Sequence, residues 1–119
     1  MLAIAVNPDY TYLVVKGAYF NAQTPFGIAV RTTKEYWQKI ISIKHPSVKQ
    51  FEKEAIKALE SPDQIRRSKQ DPRVHLYYKS LGKLFICIVA DHMNAKEGYI
   101  ITAYLTDRIK EGEQIYVKS

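Results

Sequence analysis

Cysteine occurs once in the 119 residues, so no disulfide can close within the chain. That residue, Cys87, lies in an apolar run and reads as a small buried hydrophobe. Long apolar runs are missing as well. The longest, Leu84 to Ala90, is far too short to cross a bilayer, and Met1-Leu2-Ala3-Ile4 has neither the basic front nor the apolar length of a signal peptide. These absences predict a protein of the reducing cytoplasm with no membrane partner. Three scattered histidines and one cysteine give no zinc spacing, no glycine-rich phosphate loop occurs, and no serine sits in a nucleophile elbow. They argue against a metal hydrolase or a nucleotide-dependent enzyme, so no metal and no cofactor is expected. Internal repeats and low-complexity segments are absent too.

What is present suits one globular domain spanning residues 1–119, because 46% apolar and 25% charged residues match an ordinary folded protein. The net charge of +6 is unevenly placed. From Gln64 to Lys83 six cations (Arg66, Arg67, Lys69, Arg73, Lys79, Lys83) face Asp71 alone, a net of +5. Such a block attracts polyanions, of which RNA is the expected one. By contrast, Lys49, Lys53 and Lys57 are offset by Glu52, Glu54 and Glu60 and read as a solvated helix face.

The pattern along the chain divides it into N-terminal strands over residues 1–31, two helices over 32–61 and an antiparallel sheet over 63–119. Tyr10 to Lys16 favours a strand ended by Gly17, and Phe26 to Arg31 a second one. Thr32-x-x-Glu35 is a capping box that opens a helix with Tyr36, Trp37, Ile40 and Ile41 on one face, and Pro46 stops it near Lys44. Ser47-x-x-Gln50 repeats the box, and Val48, Phe51, Ala55, Ile56 and Leu59 form the stripe of a second helix closed by Ser61-Pro62. His45 is thereby fixed at a corner between helices. Ile65 to Lys69, Arg73 to Leu81, Leu84 to Ala90 and Gly98 to Thr106 then read as strands with short connections, hence an antiparallel meander, and Ile115, Tyr116 and Val117 as an added edge strand. The fold class is α+β.

Alternation sorts the strand residues into two faces. Val74, Leu76 and Tyr78 share one, and Arg73, His75, Tyr77 and Lys79 the other; Tyr99, Ile101, Ala103 and Leu105 oppose Thr102, Tyr104 and Thr106. The helices are expected to cover the Val74, Leu76, Ile101 and Ala103 side. That leaves an open face of cations, hydroxyls and rings suited to single-stranded RNA, with Ser68, Arg73, His75, Tyr77, Lys79 and Thr106 as contacts. With Ile65 inward, Arg66 and Ser68 share the open face and Arg67 the other, unless a bulge exchanges them.

The arrangement Trp37 to His45-Pro46, Pro62-Asp63-Gln64-Ile65-Arg66-Arg67-Ser68, Asp71-Pro72, Leu76-Tyr77-Tyr78, Ile101-Thr102-Ala103-Tyr104 and Ile109-Lys110-Glu111-Gly112-Glu113 resembles a family of small bacterial, phage-associated proteins. That family is grouped with the barnase, EndoU, colicin and RelE (BECR) class of nucleases. The resemblance covers roughly residues 33 to 114 and implies helices packed on an antiparallel sheet and metal-independent cleavage of RNA, either tRNA or mRNA. It favours His45, Tyr78 and Thr102, and singles out Arg66 and Arg67 as phosphate contacts, although alternation puts Tyr78 on the core side. The residue types fit the chemistry. A histidine, with an ordinary pKa of about 6.5, can take a proton from the 2′-hydroxyl or return one to the leaving oxygen. His45 and His75 are the candidates, with His92 a weaker one. Guanidinium groups hold phosphate in a bidentate fork, and Thr102, Thr106, Tyr78 and Tyr104 can polarise its oxygens. The expectation is an endoribonuclease, one form of which is a toxin held by a cognate inhibitor with an acidic surface. The alternative is a non-catalytic RNA-binding or protein-interaction module on the same scaffold.

Overall fold

The protein, seen in a computed structural model, is described over residues 18–109 and 111–119. The strand expected over Tyr10 to Lys16 lies outside the described residues. The chain forms β1 (Phe20–Gln23), β2 (Ala29–Thr32), α1 (Lys34–Lys39), α2 (Glu52–Glu60), β3 (Gln64–Arg67), β4 (Val74–Leu81), β5 (Leu84–His92), β6 (Glu97–Thr106) and β7 (Glu113–Val117). All seven strands belong to one sheet in the order β1-β2-β6-β5-β4-β3-β7. Its centre is the predicted meander, antiparallel throughout, with Gly82 at φ 63° in the tight β4–β5 turn. Its margins are non-local: β2 lies parallel to β6, and β7 returns to pair antiparallel with β3. The architecture is α+β with a mostly antiparallel sheet.

Local chemistry moves two boundaries. Thr32 is the last residue of β2, paired with Phe20, so the cap passes to Thr33, whose hydroxyl accepts the Tyr36 N–H at 3.1 Å. α1 continues into a π-helical turn, Ile40–Lys44, closed by the His45 N–H on the Ile40 carbonyl at 2.7 Å. The second capping box does not form. Pro46, with φ already fixed, starts a 3-10 turn over Pro46–Phe51, and Ser47 lies inside it instead of capping α2. Phe20–Gln23, outside both expected N-terminal strands, pairs with β2 as a hairpin whose turn includes the Gly27 N–H on the Thr24 carbonyl.

The largest correction concerns which face the helices cover. Trp37, Ile40, Val48, Ala55, Ala58 and Leu59 pack on Ile65, Tyr77, Ile86, Ile88, Ala90, Ile100 and Ala103. Tyr77 is fully buried there and His75 is 7% exposed, so neither lies on an open face. Leu76, Tyr78 and Cys87 form a second cluster on the opposite face with Phe85, Val89, Tyr104 and Ile109. Alternation divides a strand into two sets but does not say which set the helices take. Here the helices take the set that packs with Ile65 on β3 and Ile86 and Ile88 on β5.

That opposite face is not bare. β6 and β7 lie on either side of β5, β4 and β3, so the chain over 107–109 and 111–112 crosses between them, and Ile109 packs on Leu76, Tyr78 and Cys87. We call this segment the strap. Arg66 on β3 holds it: Nε donates to the Glu111 carbonyl at 2.6 Å and Nη2 to the Gly112 carbonyl at 2.8 Å, with Nη1 on Gln64 Oε1 at 3.0 Å. Gly112, at φ 81°, ends the strap where a Cβ would sit 2.6 Å from the Arg67 carbonyl, so only glycine fits without displacing backbone.

Candidate functional site

β6 carries the site, and a bulge decides which side chains it presents. Opposite Val89 and Ala90 the register slips: Thr102 pairs with Val89 but Ile100 with Ala90, leaving Ile101 over. Because Asp91, Val89 and Cys87 lie on one face of β5, their partners Tyr99, Thr102 and Tyr104 share the strap face. The expectation that Tyr99 and Ile101 align with Ala103 therefore fails at the bulge. Past Tyr99 the outer edge of β6 has no strand beside it among the described residues, where β2 pairs only with Glu97 to Tyr99. The helical segment fills that edge, and the Tyr36 hydroxyl donates to the Ile101 carbonyl at 2.6 Å.

The same contact brings His45 to the sheet. Its ring centroid lies 5.8 Å from that of Tyr104, from a residue 59 positions earlier in the chain. Tyr78 and Cys87 stand beside Tyr104 on the same face, and the Thr102 hydroxyl is buried without a partner among the described residues. Burial, chiefly, pushes the Tyr78 hydroxyl up to about 12 and the Cys87 thiol up to about 12, and raises Tyr104 further, with the Glu111 charge adding to the first two. These groups stay protonated near neutral pH, and so serve as hydrogen-bond donors instead of bases. Lys44, its ammonium 5.5 Å from the Tyr36 ring centre, adds positive charge next to His45, and Lys49 lines a shallow depression with Pro46, Ser47 and Gln50 beside the same corner.

Four predicted residues, His45, Tyr78, Thr102 and Tyr104, thus come together, and the side of Tyr78 is settled in favour of the strap face. The basic block does not join them as a unit. Arg66 shares the face but is committed to the strap. Arg67 is on the helix-covered side, paired with Glu113 at 3.1 Å. Lys79 also points to that side, where its ammonium donates to the Ser61 carbonyl at 2.8 Å. The Ser68 hydroxyl accepts the N–H groups of Gln70 and Asp71 inside a turn, and the Thr106 hydroxyl donates to the Arg108 carbonyl. Arg73 reaches the strap face, where Nε and Nη2 grip the two oxygens of Asp91 at 2.9 Å each. The Tyr99 hydroxyl donates to the same carboxylate at 3.3 Å. Asp91 and Tyr99 were not among the expected residues; only the bulge, which alternation cannot reveal, puts Tyr99 outside.

The other two histidines form a separate, buried arrangement. The rings of His75 and His92 stack 3.6 Å apart at 11°. His75 Nδ1 must carry its proton, since it sits 3.0 Å from the Arg73 carbonyl. Tyr77, bonded to Thr24, lies 2.7 Å from His92 Nε2. Burial, then the neighbouring imidazole, lowers His92 to about 4, and burial also lowers His75. His75 and Tyr77 therefore serve the packing of the sheet end and are not available as surface contacts.

Among the described residues no three His, Cys, Asp or Glu side chains gather as a metal set would require, and no helix is long and apolar enough to cross a membrane. Compared with family models, with curated proteins and with solved structures, the chain matches none.

Proposed function

We propose that this chain is a metal-independent endoribonuclease of the BECR type, cutting RNA through attack by the ribose 2′-hydroxyl. The observation that carries the reading is the convergence of His45 on Tyr104, with Tyr78 and Thr102 on the same face. In this scheme the His45 imidazole takes the 2′-hydroxyl proton, the 2′-oxygen bonds to phosphorus as the P–O5′ bond breaks, and the departing 5′-oxygen takes a proton from water, leaving a 2′,3′-cyclic phosphate. Tyr104, kept protonated by burial and backed by the buried Tyr78, donates to the phosphate oxygens as negative charge builds there. Lys44 and Lys49 supply the cationic surroundings that Arg66, Arg67, Arg73 and Lys79, tied up in internal bonds, do not. The α+β architecture, helices on a mostly antiparallel sheet, is compatible with that class.

The test is direct. Purified protein incubated with tRNA and with total RNA in EDTA is expected to give fragments ending in 2′,3′-cyclic phosphate. His45→Ala and Tyr104→Phe should each slow cleavage by about 10²- to 10⁴-fold, the usual worth of a general acid or base. In a toxin, expression in a host lacking the inhibitor also arrests growth. Intact RNA together with unchanged growth would sink the reading. Arg66 bonded to the strap and Arg73 to Asp91 favour a second one, RNA binding without cleavage, in which the protein retards RNA on a gel and leaves it whole.

A further inference from the structure

Tyr99 is an aromatic ring turned outward at some structural cost. The bulge at Ile101 rotates it off the helix-covered face, and it remains 39% exposed. Its hydroxyl is fixed by Asp91, whose other contacts are the two-pronged grip of Arg73. Asp91 is largely shielded, its side chain 14% exposed, whereas that of Arg73 is 58% exposed. Three side chains from β5, β6 and the start of β4 are thus spent on holding one ring and one guanidinium plane at the surface. Fixing such planes in advance removes ordering cost from a later binding event.

The position of this brace matters as much as its rigidity. Tyr99 and Tyr104 lie on the same face of β6, five residues apart, or about 15 Å at the rise of a strand. Between them, on the edge that the helical segment fills, the Tyr36 hydroxyl donates to the Ile101 carbonyl, and Lys44 sits over the Tyr36 ring. The edge of β6 therefore presents, in order, a guanidinium with a ring, a ring with an ammonium, and an imidazole with a ring. Alternating aromatic planes and cations at this pitch match a single-stranded polynucleotide, whose bases stack while its phosphates pair with cations.

We infer that single-stranded RNA lies along this edge of β6, with Tyr99 stacking an unpaired base a few nucleotides away from the phosphate at His45 and Tyr104. The inference rests on RNA being the partner and does not need the cut itself. Stacking on Tyr99 is sequence-tolerant, so the ring anchors the strand and does not read it. Double-stranded RNA, whose bases are covered, is held less well.

The probe is a set of short 2′-O-methyl oligoribonucleotides, which lack the hydroxyl that cleavage requires, each with 2-aminopurine at a different position. Wild-type protein is expected to quench the fluorophore at one position, and Tyr99→Leu to lose that quenching and about tenfold in affinity. Tyr99→Trp restores binding, and the exposed indole is itself quenched by unlabelled oligonucleotide, while the buried Trp37 stays silent. Equal affinity and quenching in Tyr99→Leu, or an indole at position 99 unmoved by oligonucleotide, would overturn the inference even if wild-type protein cuts RNA. Tyr99-dependent stacking with intact RNA would instead uphold it and remove the nuclease reading. Failure of wild-type protein to bind any of these oligonucleotides, or its preference for an acidic protein at this edge, would overturn both.

Discussion

The two faces of the sheet each bury a cluster of tyrosine with another polar group, yet they are covered in different ways. On the helix side, Tyr77, Thr24, His92 and His75 are closed in by continuous packing, with the bonds of both imidazoles directed at fixed neighbours. On the other side, Tyr78, Cys87 and Tyr104 lie beneath one crossing segment that Arg66 fastens. Similar burial therefore hides different local stability. A core face opens only when the molecule unfolds, whereas a face covered by a strap opens as far as its fastening allows.

Three measurements test that contrast, in decreasing order of expected effect. The largest is the pH dependence of the helix side. The unfolded chain protonates its histidines near 6.5, but folded His92 stays neutral down to about 4 and His75 is lowered too. Their contribution is full above about 6.5, falls as pH drops through the window to about 4, and changes no further below it. The loss should reach on the order of 3 kcal/mol, followed in urea melts through Trp37 fluorescence. His92→Gln should flatten the profile; a wild-type profile already level across that window would mean the pair is not held neutral by burial.

Next comes the fastening of the other side. Arg66→Ala removes the bonds to Glu111 and Gly112 and should cost about 2 kcal/mol. Amide exchange should quicken in the strap and β7 while the β4–β5 centre stays protected, and uniform acceleration across the sheet would contradict a separately opening strap. The smallest effect is expected for Arg67→Ala, one residue along the same strand. Its pair with Glu113 is exposed, the two side chains being 42% and 62% accessible, so the loss should stay below about 0.5 kcal/mol. A loss comparable to that of Arg66→Ala would show that position on the strand, and not attachment to the strap, sets the cost.

Much of this frame was legible in residue order. Asp71-Pro72 and Gly82 mark the turns of the meander, Pro46 the helical corner, and the step from Ile65 to Arg66 the change of face on β3. The meander depends on neighbours along the chain, which is why it could be read. The strap depends on a contact between Arg66 and residues 45 and 46 positions later, and nothing local to either end announces it. Tyr77 and Tyr78 illustrate a second limit. Adjacent, chemically identical and both buried, they differ only in which face each occupies, and alternation assigns them to opposite faces without saying where the helices will dock. Of the candidate site, His45, Tyr104 and Thr102 came from residue type and resemblance, whereas Tyr99 depended on a one-residue slip that no periodicity reports.

The strand order also bears on how the molecule assembles. Its local pairings, β3 through β6, occupy the middle of the sheet, while β2 against β6 and β7 against β3 close long loops at the two margins. Loop-closure entropy delays distant pairings, so the meander is the natural nucleus and the margins zip on afterwards. Until β7 arrives, β3 is an unprotected edge with its ladder groups unpaired, and the interval before that arrival is when this chain is most open to pairing with a second copy of itself.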